Sequence, residues 1–221
     1  MTDADRIAEW EGGYGWLADP KDLSERSSHV IVGNSGHWLI DPLDGPGVRD
    51  LLPDASDITG IVLTLDRHQR DCAMFAREFD VAVAIAGPLR GVEADLPCRT
   101  ESTDRFRADT GWSVRPVIDR PGWHEIALVS ADGKTMWISE IVGNAPYFCA
   151  PQEQLGVHPL VRLRPPREIF ADEEPDRVIV GHGRGVMEHG AAALHDAMEH
   201  GRRRAPQAYF NALKIGMNRL F

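Results

Sequence analysis

The sequence predicts an α/β fold in one domain spanning residues 1–221, and three observations carry that prediction. Paired apolar runs separated by turn residues recur on both sides of the chain's middle, as β-hairpins require. A strand–helix–strand succession between residues 60 and 85 reads as a βαβ crossover with local parallel pairing. Near the C-terminus, one further apolar strand leads through a glycine-rich turn into a helix-forming stretch. The 221 residues, 43% hydrophobic, suffice for a full core.

In chain order, residues 7–18 contain Gly12, Gly13 and Gly15, whose backbone freedom disfavours a long helix, so this stretch reads as irregular or as a hairpin. Ser28–Gly33 and His37–Pro42 flank an Asn34-Ser35-Gly36 turn and form a hairpin that Pro42 ends. Gly47–Leu52 reads as a short helix, Gly60–Leu63 as a buried strand, Asp71 to about Phe79 as a helix and Val81–Ile85 as the next strand. Gly91–Thr110 is polar with little periodicity and reads as loops and short edge strands. Trp112–Ile118, Glu125–Val129 and Thr135–Glu140 read as strands, the last two joined by a turn around Asp132-Gly133. The proline-containing stretch Asn144–Pro175 reads as a lid or crossing loop. Arg177–Gly185 then gives a strand and a glycine turn, and Gly190–Arg203 a helix. The tail Pro206–Phe221 is apolar at helical spacing and is expected to pack on the body.

Lys and Arg number 24 against 34 Asp and Glu, a net charge of −10, which disfavours nucleic acid and anionic membranes as partners. A small-molecule substrate or ligand, or another protein, is the expected partner. Cys72, Cys98 and Cys149 are odd in number and widely spaced, which points away from a disulfide framework and toward the cytoplasm. The acidic start lacks the apolar core of a signal peptide. No run approaches the roughly 18 apolar residues of a membrane helix.

Chemistry-bearing residues concentrate between the strand ending at Leu63 and the helix starting near Asp71. Asp66, His68, Asp71 and Cys72 can each offer a lone pair to a metal. Plainer roles stand beside that one: His68 as a polar turn residue, Asp71 as a helix N-cap, Cys72 as a small buried apolar group whose thiol a helix N-terminus would acidify. His182, in Gly181-His182-Gly183, is either a metal ligand or a loop residue bonded to backbone, and Asp41 reads as structuring its turn. The Gly181–Gly185 turn only weakly suggests a phosphate cradle, since the full dinucleotide fingerprint is missing.

Taken together, Leu39-Ile40-Asp41-Pro42, Ile61-Val62-Leu63-Thr64, Pro121-Gly122-Trp123-His124, Trp137-Ile138-Ser139-Glu140 and Ile179-Val180-Gly181-His182-Gly183 resemble, in order and spacing, successive motifs of the metallo-β-lactamase superfamily. The resemblance runs from about Trp10 to Leu194. It implies an αββα four-layer sandwich and hydrolysis by water activated on Zn²⁺ or another divalent metal. The family's His-x-His-x-Asp-His motif is incomplete here. Leu65 stands in the first histidine position, and an alignment shifted by one residue sets Asp66, His68, Asp71 and Cys72 against the four ligands. Trp123 occupies the next histidine position, with His124 one residue late and, on a strand, facing the other way. Glu140 replaces the bridging aspartate, and His182 matches its counterpart in type. Two functions follow. One is a divergent hydrolase with a mononuclear site of His68, Asp71, Glu140 and His182, in which Glu140 and Asp71 act catalytically and Glu140 orients or deprotonates the water. The other is a metal-free relative that binds a ligand or protein.

Overall fold

The computed structural model describes residues 3–89 and 91–217. Strands β1 (Asp5–Trp10), β2 (Gly13–Leu17), β3 (Ser27–Val32), β4 (His37–Ile40), β5 (Ile58–Leu63), β6 (Val83–Ile85) and β7 (Thr100–Ser102) form one sheet in chain order. The hairpin side, β1 to β4, is antiparallel, whereas β4 to β7 run parallel, as the βαβ pattern required. Helix α1 (Val48–Leu51) precedes β5, α2 (Cys72–Glu78) joins β5 to β6, and α3 (Asp104–Thr110) follows β7. A second sheet has the order β13-β10-β9-β8, built from β8 (Ser113–Arg120), β9 (Trp123–Val129), β10 (Thr135–Ile138) and β13 (Arg177–Val180). The short pair β11 (Val142–Gly143) and β12 (Gly156–Val157) lies between β10 and β13 in sequence, and α4 (Gly190–Met217) closes the described chain.

The layering follows from strand alternation, which sends successive side chains to opposite faces. Ile126 and Leu128 of β9, Trp137 of β10 and Ile179 of β13 share one core with Trp38, Leu39, Val62 and Leu63 of the first sheet. Their neighbours Ala127, Val129, Met136, Ile138, Val178 and Val180 share another core with Ala193, Leu194, Ala197 and Met198 of α4. Phe75 of α2 and Phe106 of α3 pack with the first sheet. The result is helix, sheet, sheet, helix.

Close packing at the first core is set by Gly60, where a Cβ would stand 2.4 Å from Cζ3 of Trp38. Trp38 has no room to yield: its Nε1 donates to Asp109 Oδ2 at 2.8 Å and Phe106 meets its ring edge-on at 5.2 Å. Gly60→Ala is therefore expected to lower stability by about 1–3 kcal/mol in urea unfolding, the usual cost of overpacking.

Three stretches depart from the sequence expectation. The 91–110 region contains the edge strand β7 but also α3, whose buried face is Phe106 alone among Asp and Arg residues, too little to show a helical period. The helix near residue 190 runs on through Pro206 to Met217 as one element. Its end packs on the body only in part: Ala208 is buried and Tyr209 and Asn211 donate to the carbonyls of Pro159, Pro146 and Cys149, whereas Phe210 is 70% and Leu213 61% exposed. The last part of that expectation, including Leu220, lies outside the described residues. In the 144–175 stretch, fully buried Arg162 pairs with Glu153 and donates to the carbonyls of Phe148 (2.8 Å) and Val157 (3.1 Å). This long connection thus folds around a charged anchor. Among the described residues, no helix is long and apolar enough to cross a membrane.

Candidate metal centre

Parallel strands deliver their carboxyl ends to a common edge, and the chemistry collects there. In the first sheet β4 leads into Asp41 and the adjacent β5 into Thr64; in the second, β10 leads into Ser139 and Glu140, and the adjacent β13 into His182. The two edges meet where Thr64 Oγ1 lies 2.7 Å from Ser139 Oγ. The turn after β5 places His68 between them.

One donor atom each from His68, Glu140 and His182 lies within 4.8 Å of the others. His68 Nε2 is 4.0 Å from Glu140 Oε2, and the two imidazole rings are 5.5 Å apart between centroids. The outer partners fix the tautomers. His68 Nδ1 faces the Asp41 carboxylate at 2.9 Å and His182 Nδ1 faces the Ser24 carbonyl at 2.9 Å. Both partners are acceptors, so both Nδ1 atoms carry hydrogen and both Nε2 atoms keep a lone pair. Imidazoles that serve as metal ligands are oriented in this way.

Charge states agree with that assignment. Burial, and then the nearby Arg70 charge, holds His68 well below its ordinary range and His182 at about 4, so both are neutral at pH 7. Burial opposes ionisation of Glu140, but the hydrogen bond from His158, with help from the Arg67 charge, brings it down to about 2. Asp41 is pushed up to about 6 by burial, against the pull of Arg70 and of its bonds to the Thr64 hydroxyl and N–H. Two neutral imidazoles and one carboxylate form a donor set known for mononuclear zinc or iron, so the residues present fit a divalent metal in type and charge state.

Arg70 is the feature that the metal-ligand reading did not anticipate. Its guanidinium is half-buried beside the site, where desolvation lowers its pKa to about 10. One nitrogen donates to the carbonyls of Ser27 (2.7 Å) and Asp41 (3.0 Å), the other to Gly181 (3.2 Å) and to His68 Nε2 (3.2 Å). Arg70 has φ 41°, and Asp41 has φ 44°, left-handed conformations that cost energy in non-glycine residues and cluster where the surroundings over-determine the backbone.

The other expected residues fall elsewhere. Asp71 is not brought to the cluster: it sits at the N-cap of α2, where its side chain caps nothing and instead accepts the Asp44 N–H at 2.8 Å. Cys72 is fully buried and burial pushes its thiol up, the reverse of helix-terminus acidification. Asp66 accepts the His124 N–H at 3.0 Å, while the His124 ring turns to Asp119 at 2.8 Å. The glycine turn cradles no phosphate, because Gly181, Gly183 and Gly185 donate their N–H groups to Ile138 and Ser139, Glu25 and Asn144.

Besides Arg70, three residues reach the site without having been read from the sequence. His158 Nδ1 accepts the Leu160 N–H, so its Nε2–H points at Glu140 Oε1, 3.4 Å away. Tyr147 Oη lies 3.2 Å from His182 Nδ1, and burial, then the Glu140 charge, raises its pKa. Glu125, fully buried, accepts the N–H groups of Glu140 (2.8 Å) and Ile141 (3.0 Å) and the Trp123 indole N–H (2.8 Å), while burial pushes its pKa up to about 7. Trp123 thus buttresses, through Glu125, the loop that carries Glu140. The available signal for Glu125 was a carboxylate inside an apolar strand.

No protein-family model matches the chain, and no curated protein matches it in sequence. Solved structures do. The DIM-1 metallo-β-lactamase superposes with a TM-score of 0.60 at 11% identity, covering 94% of this chain and 99% of that one. The metallo-β-lactamase from Erythrobacter litoralis gives 0.58 at 9%, covering 90% and 97%, and that from Pontibacter korlensis gives 0.55 at 8%, covering 89% and 99%. The chain therefore has the metallo-β-lactamase fold.

Proposed function

We propose that this chain, built on the metallo-β-lactamase fold, is a divergent hydrolase that holds one divalent ion, such as zinc, on His68, Glu140 and His182. Its substrate in this reading is a small-molecule ester, thioester or related compound, and its compartment is the cytoplasm, in keeping with the free Cys72, Cys98 and Cys149. The observation that carries the reading is the convergence of three donors within 4.8 Å, two of them imidazoles already oriented by Asp41 and Ser24.

When bound, such an ion supplies a water whose pKa falls to about 7 and a Lewis-acid contact for a carbonyl oxygen. The chain's own groups do the rest. Asp41 keeps the His68 proton on Nδ1, and the Ser24 carbonyl does the same for His182. Glu140, held at about 2, is too weak a base to take a proton at neutral pH, so its part is to bind and orient. Because His182 donates from Nδ1, the Tyr147 hydroxyl oxygen can only accept there, and its proton is free to meet a developing negative charge on the substrate. Asp71, turned toward Asp44, has no part in this arrangement.

A second reading rests on Arg70. Its hydrogen bond to His68 Nε2 fills the lone pair that a metal would use, as in a metal-free ligand-binding relative. Metal content separates the two. Protein expressed with zinc supplementation and purified without chelator is expected to carry close to one ion per chain and to cleave chromogenic esters. His182→Ala is expected to lose both the ion and the activity. Absence of metal from the supplemented protein would overturn the hydrolase reading.

A further inference from the structure

We infer that Arg70 is a resident cation of this site, competing directly with a divalent metal for His68 Nε2 and setting how tightly the site binds that metal. The inference rests on the reading of His68, Glu140 and His182 as ligands, and it adds a determinant of affinity that lies outside the ligand set. An imidazole with hydrogen on Nδ1 has one lone pair, on Nε2, and the Arg70 guanidinium donates to it at 3.2 Å. That lone pair serves one cation at a time.

The contact is built. The same guanidinium is held by the carbonyls of Ser27, Asp41 and Gly181, which come from three separate segments of the chain, and its backbone is locked at φ 41°. These carbonyls accept three of the guanidinium's hydrogen bonds, and among the described residues no carboxylate bonds it directly. Its charge is balanced through space by Asp41, whose own oxygens face Thr64 and His68, and by Glu140. A divalent ion drawing on the same carboxylates would sit beside a half-buried positive charge, and mutual repulsion across this partly desolvated site weakens its binding. Two effects therefore act in one direction, loss of the lone pair and repulsion. Arg67, by contrast, is partly exposed and donates to Glu140 Oε2 at 2.9 Å and to the Gly122 carbonyl at 2.7 Å, so it leaves the His68 lone pair untouched.

The test compares Zn²⁺ affinity of wild type, Arg70→Met and Arg70→Gln by competition with a chromogenic chelator, alongside the zinc-induced rise in melting temperature. Arg70→Met removes charge and donors. Arg70→Gln removes the charge but keeps an N–H donor for the carbonyls, which guards against loss of the fold; circular dichroism confirms folding. The expected result is at least tenfold tighter zinc binding in a folded variant and a larger zinc-induced melting shift than in wild type. Unchanged or weaker binding in both folded variants overturns the inference while leaving the hydrolase reading intact if wild type binds. Binding by a variant but not by wild type supports the inference and removes the metal-hydrolase reading for the natural chain. Binding by none of the three defeats both.

Discussion

Asp41→Ala is expected to cost about 3–5 kcal/mol of stability in urea unfolding and to abolish metal binding, the largest combined effect of any single change in this site. Two buried N–H donors, those of Thr64 and His68 Nδ1, lose their acceptor at once, and the Thr64 hydroxyl is left with Ser139 Oγ alone to turn to. A buried donor left without a partner costs about 1–3 kcal/mol, and Arg70 also loses the charge that balances it. The relief of removing a carboxylate whose burial raises its pKa to about 6 offsets only part of this. Asp41→Asn separates the two consequences. An amide retains volume and an acceptor for Thr64, so stability is expected to fall by only about 1 kcal/mol. Turned toward His68, however, its NH₂ opposes the Nδ1–H tautomer, and metal affinity is expected to drop about 10–100-fold, as when such outer partners of a ligand are changed. Equal metal affinity in Asp41→Asn and wild type would show that Asp41 does not set the His68 tautomer.

The fold was more legible than the site, and the reason is physical. Strands and hairpins announce themselves locally: Asp132-Gly133 between two apolar runs, or Asn34-Ser35-Gly36 between two others, specify a turn and a pairing within a dozen residues. Helix α3 escaped because one buried residue, Phe106, makes no period, and the exposed end of α4 escaped because helical spacing of apolar residues does not say what they pack against. In the site, His68, Glu140 and His182 could be picked by chemical type and by resemblance to known motifs. Asp71 could not be rejected that way, since its distance from the cluster depends on how a turn with Arg70 in a left-handed conformation aims its side chains. Arg70, Tyr147, His158 and Glu125 were illegible for the same reason. Their partners lie on other segments: Arg70 reaches 111 residues along the chain to Gly181, and Tyr147 35 residues to His182.

His29 is expected to be a major source of acid instability, through a group outside the ligand set. It sits on β3, fully buried, with its ring 4.9 Å from that of Trp137 and neither nitrogen hydrogen-bonded to protein among the described residues. Burial, then the Arg70 charge, lowers its pKa from 6.5 to about 3. The sign follows by linkage. Below pH 6.5 the unfolded chain takes up a proton that the native state refuses until about pH 3, so stability falls by about 1.4 kcal/mol per pH unit across that window. His182, at about 4, and His68 act in the same direction. Glu125 at about 7 and Asp41 at about 6 act oppositely: their native pKa values are raised, so the native state binds protons first and gains stability as pH falls toward their ordinary range. Between pH 6 and 4.5 the two carboxyls offset two of the three histidines, leaving a net decline of about 1.4 kcal/mol per pH unit. Below about pH 4.5 the Glu125 gain is complete, and below about 3.8 that of Asp41, while His29 and His68 still resist protonation, so the decline steepens. His29→Leu removes one titrating group at similar bulk, and any packing cost it brings is the same at every pH. Its stability relative to wild type is therefore expected to improve by about 2–3 kcal/mol between pH 7.5 and 4.5, measured by urea unfolding at both. Parallel pH profiles for the two proteins would mean that His29 already holds its proton in the folded state.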